Sequence, residues 1–219
     1  MIKRSEIQKI VNDYTGLRIG VLGSHSALEV MDGAKDEGLE TIVFCQKGRE
    51  TPYQRFSRIA DEIIIFKKFN EISIAKNQKM LRDTNTIIVP HRSLTAYLGY
   101  KTIENTLKVP IFGNRALFQA EERSNKRNQY YLLEKAGIKH PKIFKNPRDI
   151  NKTSIVKVQE KKRKLERAFF NVSSFSDYKK KSEEKIKQGI ISKSGLQNAT
   201  IEHKGVGVDL LVVYFYVDK

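Results

Sequence analysis

Short apolar runs alternate with amphipathic stretches through the first 120 residues. The apolar runs predict five buried strands, at Leu17–Leu22, Thr41–Cys45, Ile63–Phe66, Thr86–Pro90 and Val109–Phe112. A helical pattern follows the first strand and ends at Gly38, and further helical stretches separate the later strands. Because strands that alternate with helices form parallel sheets covered on both faces, we predict an α/β, Rossmann-like domain over residues 1–120.

The pattern changes after residue 120. Helices are predicted at Glu121–Gly137 and Phe175–Gln188, and strands at Ser154–Val158, Ala168–Val172, Asn198–Glu202 and Asp209–Val217. This order predicts an α+β unit around an antiparallel sheet over residues 121–219. The sequence stops directly after an apolar strand, and exposed strand edges invite aggregation, so we expect further chain to follow.

The charge balance favours a polyanionic partner. The 219 residues include 41 Lys and Arg against 25 Asp and Glu, a net charge of +16. Residues 121–219 hold 23 of the basic and 12 of the acidic residues, with basic runs at Lys161–Lys164 and Lys179–Lys181. Nucleic acid and nucleotide phosphates both fit such a balance, and a solvated surface explains either run equally well. No zinc-finger spacing and no aromatic-rich RNA-binding motif accompanies the runs.

Membrane, secretory and disulfide features are missing from the printed sequence. Its longest apolar run, Leu210–Val217, is much shorter than the roughly 20 residues that a spanning helix needs. The first residues are charged and lead into no apolar segment, and Cys45 is the single cysteine. We therefore expect no membrane contact and a reducing, cytoplasmic setting.

Four polar loops directly follow predicted strands of the first domain. They are Gly23–Ser26, Gln46–Arg49, His91–Ser93 and Gly113–Arg115. Parallel sheets bind ligands beyond the carboxyl ends of their strands, and histidines, cations, hydroxyls and backbone amides together suit a phosphate. The first loop lacks the full G-x-G-x-x-G pattern, so it supports a dinucleotide site only weakly. Turn and capping chemistry explains any one loop, but four on one rim favour a binding site.

Six motifs follow one another along the chain. They are G-S-H-S (23–26), G-R-E-T-P-Y-Q-R-F (48–56), V-P-H-R-S (89–93), V-P-I-F-G-N-R (109–115), L-L-E-K-A-G-I (132–138) and I-V-K (155–157). In this order they resemble the archaeal PurP-type 5-formaminoimidazole-4-carboxamide ribonucleotide synthetases, members of the ATP-grasp superfamily. The resemblance covers nearly the whole chain but only the front part of such an enzyme. It implies a Rossmann-like substrate domain followed by a partial ATP-grasp α+β domain.

The resemblance implies formylation in purine (IMP) biosynthesis. ATP, with Mg²⁺ or Mn²⁺, activates formate as formyl phosphate, because phosphate leaves far more readily than hydroxide. The amine of aminoimidazole carboxamide ribonucleotide (AICAR) then attacks the formyl carbon and gives the formamido product (FAICAR). The family's acidic metal ligands are expected beyond residue 219, with none in this chain. We therefore expect no turnover by these 219 residues alone, and a homo-oligomer when the protein is complete.

Matching motifs assign the substrate nucleotide to two residues of the first domain. His25 in G-S-H-S and Ser93 in V-P-H-R-S correspond to substrate contacts of the family. For His25 taken alone, a helix-start residue without a ligand is the simpler interpretation. Arg115 is a predicted phosphate neighbour on the ground of its residue type and loop alone.

The ATP contacts implied by the resemblance lie in the second part. Lys126 and Lys157 correspond to the family's two nucleotide lysines, and Glu202, His203 and Lys204 occupy the segment that contacts adenine. Without the resemblance, the alternative for Lys157 is a side chain that extends into solvent and contacts no nucleotide.

Two departures from the family pattern leave alternatives open. Bulky cations in Gln159–Arg167 stand where relatives often carry a glycine-rich loop, and His203-Lys204 replaces an aromatic position. Side-chain charge can still hold phosphates, or the change marks a divergent branch. The alternatives are a non-enzymatic, basic nucleotide- or nucleic-acid-binding module and an ATP-grasp ligase for another purine intermediate.

Overall fold

The computed structural model describes residues 1–122, 125–158 and 169–204. The chain divides into two compact units, Met1–Gln119 and Ala120–Lys219.

The first unit contains a four-stranded parallel sheet. Its strands are β1 (Arg18–Leu22), β2 (Glu40–Gln46), β3 (Glu62–Phe66) and β4 (Thr86–Ile88), in the order β3-β2-β1-β4. The predicted fifth strand shortens to a single parallel bridge between Ile88 and Ile111. Pro110 carries no N–H, so it accepts from Ile88 at 2.9 Å but cannot donate to a longer ladder.

The first unit also contains six α-helices, of which the second, third and fourth connect successive strands. They are α1 (Arg4–Asn12), α2 (Ala27–Asp36), α3 (Thr51–Arg55), α4 (Ala75–Asp83), α5 (Arg92–Leu98) and α6 (Tyr100–Asn105), with 3₁₀ turns at Phe69–Ser73 and Arg115–Glu121. No helix among the described residues is long and apolar enough to cross a membrane.

Both faces of the central strands β1 and β2 are buried. Leu22, Ile42 and Phe44 belong to one apolar cluster, together with residues of α4, α5 and α6. Their neighbours Val21 and Val43 belong to a second cluster, which includes residues of α2 and α3. Because side chains alternate between the faces of a strand, continuous apolar runs are what a doubly covered sheet requires. The prediction of a Rossmann-like α/β fold is confirmed.

The second unit is built on an antiparallel sheet. Its strands are β5 (Ile143–Phe144), β6 (Ser154–Lys157), β7 (Phe169–Val172) and β8 (Thr200–His203), in the order β5-β8-β6-β7. The helices are α7 (Gln129–Lys135), α8 (Phe175–Lys187) and α9 (Lys193–Gln197), with a 3₁₀ turn at Pro147–Asp149. The α+β prediction is confirmed, while the strand predicted at Asp209–Val217 and the basic stretch Gln159–Arg167 lie outside the described residues.

The helix predicted over Glu121–Gly137 is shorter than its apolar pattern indicated. It begins only at Gln129, because the Asn128 side chain accepts hydrogen bonds from the backbone N–H groups of Tyr130 and Tyr131 at 3.0 and 3.1 Å. The predicted end holds, since Gly137 adopts a left-handed φ of 67° directly after the helix.

Candidate functional site

Two of the four polar loops meet where β1 and β4 end. These strands are direct neighbours, so the loop Gly23–Ser26 lies beside the segment His91–Ser93. The Ser93 hydroxyl donates to the Ser24 hydroxyl at 3.2 Å, and the rings of His25 and His91 face each other with centroids 6.0 Å apart. We call Ser24, His25, His91 and Ser93 the histidine–serine cluster. It brings together the two predicted substrate residues, which are 68 positions apart in the chain.

His91 holds this cluster in place through both ring nitrogens. Its Nε2 lies 2.9 Å from the carbonyl oxygen of Leu22, and its Nδ1 lies 3.3 Å from the backbone nitrogen of Ser93. A carbonyl only accepts and an amide N–H only donates, so the proton is on Nε2 and the ring is neutral. Burial lowers the pKa of His91 and outweighs the Leu22 carbonyl, which favours the charged ring. In the sequence, His91 falls within a predicted polar loop, but no role of its own was predicted for it.

His25 occupies an unusual backbone conformation. Its φ is 47°, in the left-handed region that residues with a Cβ rarely adopt. The side chain is exposed, and its Nδ1 lies 2.6 Å from the Ser26 hydroxyl. Strained residues of this kind concentrate at ligand-binding sites, where the surrounding structure holds them.

Gly23 allows the first loop to pass close against the sheet. A Cβ at this position would lie 2.8 Å from Cys45 Sγ, 3.0 Å from Tyr53 Cε2 and 3.2 Å from the Phe44 carbonyl oxygen. The contact with Cys45 Sγ is shorter than a Cβ normally makes and the other two are tight, so any larger residue would force its neighbours to move.

The Arg115 side chain bonds to the protein's own backbone. Its guanidinium donates to the carbonyl oxygens of Ile103, Leu107 and Val109 at 2.9, 2.6 and 3.2 Å. The group is partly buried, and this burial lowers its pKa. Arg115 therefore ties the end of α6 to the segment before the Ile111 bridge, and its contact with a substrate phosphate stays a prediction.

Within the second unit, two predicted ATP residues form one charged pair. Val156 and Ile201 are cross-strand partners in the apolar core, so the adjacent Lys157 and Glu202 lie on the other face of the sheet. The Lys157 ammonium forms an ion pair with one carboxylate oxygen of Glu202, and the Tyr130 hydroxyl donates to the other. Side-chain exposure is 6% for Glu202 and 21% for Lys157, so the carboxylate is buried while the lysine reaches the surface.

The other predicted ATP contacts are more exposed than Glu202. Lys126 and Lys204 are exposed, and His203 is half-buried. The backbone N–H groups of His203 and Lys204 donate to Lys142 and Thr153 at 2.8 and 2.9 Å, which fixes the path of the chain after β8. Contacts of these side chains with a nucleotide stay predictions. In the described ranges, no group of three or more His, Cys, Asp or Glu side chains is arranged to hold a metal ion.

Comparison with known proteins identifies relatives that span nearly the whole chain. A family described as "Protein of unknown function (DUF1246)" matches residues 19–144. The 5-formaminoimidazole-4-carboxamide-1-(beta)-D-ribofuranosyl 5'-monophosphate synthetase of Methanopyrus kandleri is 42% identical over 98% of this chain and 59% of its own length. The synthetase of the same name from Methanocaldococcus jannaschii is 38% identical over 99% of this chain and 59% of its own length. The chain thus spans about three-fifths of these relatives.

Solved structures support the fold. The crystal structure of an IMP biosynthesis protein PurP from Thermococcus kodakaraensis has a TM-score of 0.53 and 22% identity, over 85% of this chain and 50% of its own. N5-carboxyaminoimidazole synthetase from Staphylococcus aureus has a TM-score of 0.50 and 15% identity, over 85% and 46%. None of these names refers to nucleic acid. The resemblance to PurP-type synthetases that the motifs indicated is confirmed. With more than half of its residues matched, the chain belongs to the family described as "Protein of unknown function (DUF1246)".

Proposed function

We propose that the protein is an ATP- and formate-dependent ligase that converts AICAR to FAICAR. The observation that carries the proposal is the 42% identity, over 98% of the chain, with a relative named as that synthetase. The first unit supplies the substrate-nucleotide site, and the second supplies part of the ATP site. A cytoplasmic location and a homo-oligomeric assembly belong to the same proposal.

The histidine–serine cluster has the chemistry that a ribonucleotide requires. Two serine hydroxyls and an exposed imidazole can donate to phosphate or carboxamide oxygens. Neutral His91 binds the Leu22 carbonyl and the Ser93 N–H, and so sets the distance between the two loops. Both loops lie at the carboxyl edge of a parallel sheet, where such folds bind their ligands.

The proposed ATP contacts centre on Lys157. An ammonium group has three donors, so Lys157 can keep its bond to Glu202 while it donates to a phosphate oxygen. Lys126 is a second phosphate contact, and Glu202, His203 and Lys204 lie along the adenine. Mg²⁺ or Mn²⁺ would neutralise phosphate charge when bound. The described residues offer no carboxylate cluster for it, so we assign the metal to none of them.

Isothermal titration calorimetry with AICAR tests the substrate site. We expect saturable binding by the 219-residue chain. His25→Ala and Ser93→Ala should weaken it about 10-fold or more, since each removes a hydrogen bond to the nucleotide. Gln8→Ala, on the exposed face of α1, is the control and should bind like the parent. No heat with AICAR, together with salt-sensitive binding of random oligonucleotides, would refute the proposal in favour of a nucleic-acid-binding module.

A further inference from the structure

Arg49 lies on a fixed aromatic surface at the carboxyl end of β2. Its guanidinium donates to the Tyr97 hydroxyl at 2.8 Å. The guanidinium carbon is 5.6 Å from the centre of the Phe69 ring and 5.7 Å from that of Tyr97. Phe69 is 1% exposed and packs against Tyr97 with ring centroids 4.5 Å apart. Cation–π contact with two packed rings restricts the Arg49 side chain before any ligand arrives.

Helix α5 connects Arg49 to the histidine–serine cluster. Ser93 and Tyr97 are four residues apart on α5, so they lie on the same side of the helix, one turn from each other. The bond between Tyr97 and Arg49 therefore places the guanidinium along the helix side that carries the Ser93 hydroxyl. The loops after β1, β2 and β4 thus contribute to a single surface at this edge of the sheet.

The Arg49 guanidinium has capacity for an anion. Among the residues that the structure describes, no carboxylate lies within 4.0 Å of it, whereas Arg18 is paired with both Glu40 and Glu62. A guanidinium has five N–H donors, and Tyr97 takes one of those of Arg49. Arg115, by contrast, donates to three carbonyl groups. Arg49 is therefore the better-placed cation for a ligand at this edge.

We propose that Arg49 binds the 5′-phosphate of the substrate ribonucleotide. The inference rests on the proposed function and assigns to Arg49 the contact that sequence reasoning placed on Arg115. An arginine fork matches two phosphate oxygens at once, and the cation–π contacts with Phe69 and Tyr97 hold the guanidinium in place for that contact. Tyr97 is a positioning residue, since it holds the guanidinium without touching the ligand.

The test compares AICAR with its nucleoside, which lacks the phosphate. Arg49→Ala should weaken AICAR binding about 10- to 100-fold and leave nucleoside binding within about twofold of the parent. Arg49→Lys keeps the charge without the fork and should give an intermediate loss, and Tyr97→Phe a few-fold loss. Lys9→Ala removes one exposed charge from α1, at the amino-terminal side of β1, and is the control for net charge. Thermal unfolding of each variant checks the fold.

The outcomes separate this inference from the function on which it rests. If Arg49→Ala leaves AICAR affinity unchanged, or weakens nucleotide and nucleoside equally, Arg49 does not bind the phosphate and the proposed function still stands. If the parent binds neither ligand, both proposals fail. If Arg49→Ala unfolds at a lower temperature than the parent, the AICAR affinity of Arg49→Lys becomes the test instead, because lysine keeps the cation–π contact. An AICAR affinity equal to the parent's would then overturn the inference.

Discussion

Acid should destabilise this fold through His91. A second proton on the ring would be on Nδ1, which faces the backbone N–H of Ser93 at 3.3 Å. Two donors would then point at each other, and the Ser93 amide would lose its acceptor. Burial is the main reason that the pKa of His91 lies below its ordinary value of 6.5, and the charge of nearby His25 adds to it.

The direction of the pH effect follows from proton uptake. Because the pKa of His91 is lower in the folded state, the unfolded chain binds the proton first as the pH falls through 6.5. The free energy of unfolding therefore decreases from pH 6.5 down to the folded pKa. One titrating group can change the free energy of unfolding by at most about 1.4 kcal/mol per pH unit. Above pH 7.5 His91 should contribute no pH dependence.

His91→Asn isolates this contribution. Asparagine still offers an oxygen to the Ser93 N–H, as a good helix N-cap does, but it does not reach the Leu22 carbonyl. That carbonyl also accepts from Ser24 N–H at 2.7 Å, so it keeps one partner. The variant should therefore lose only about 1–2 kcal/mol at pH 7.5, for one hydrogen bond and part of a ring.

Urea unfolding at pH 7.5 and pH 5.5 measures both effects. The sequence has nine tyrosines and no tryptophan, so tyrosine fluorescence or circular dichroism reports the transition. The difference in free energy of unfolding between the parent and His91→Asn should be smaller at the lower pH, because only the parent has a His91 whose protonation destabilises the fold. A difference that stayed constant or widened would refute the assignment of a neutral, Nε2-protonated ring.

Two further predictions concern packing and the buried carboxylate. Gly23→Ala should lower the free energy of unfolding by about 1–3 kcal/mol, because its Cβ would meet a backbone carbonyl at 3.2 Å. Gly33→Ala, where nothing lies within 4 Å, should raise it by about 0.5–1 kcal/mol; equal urea midpoints for the two would contradict this. Glu202→Ala should cost about 3 kcal/mol, since it removes the carboxylate from Lys157 and Tyr130. Glu202→Gln, which keeps an acceptor for Tyr130, should cost less, and a larger loss would contradict the pairing.

The sequence pattern was sufficient to locate a strand or helix wherever burial of its apolar residues alone determines the element. The predicted bounds of β1, β2 and β3 lie within one residue of the observed ones. For β1 and β2 the reason is that strands buried on both faces read as unbroken apolar runs. The charged helix α8 was equally predictable, since Ser174 caps it and the apolar spacing is helical. The predictions failed where one side chain overrides the pattern, as Asn128 does at the start of α7 and Pro110 does at the expected fifth strand.

The sequence by itself determined the two kinds of sheet, the polar loops after the strands and the motifs that connect the chain to its relatives. Only the tertiary structure decided which side chains meet. It places Lys157 against Glu202, 45 positions away, and His91 against Leu22, 69 positions away. In the tertiary structure Arg115 donates hydrogen bonds to backbone carbonyls, whereas Arg49 lies over aromatic rings at the carboxyl edge of the parallel sheet. Periodicity records whether a position is buried, but the partner of a polar group depends on strand order and helix packing between distant segments.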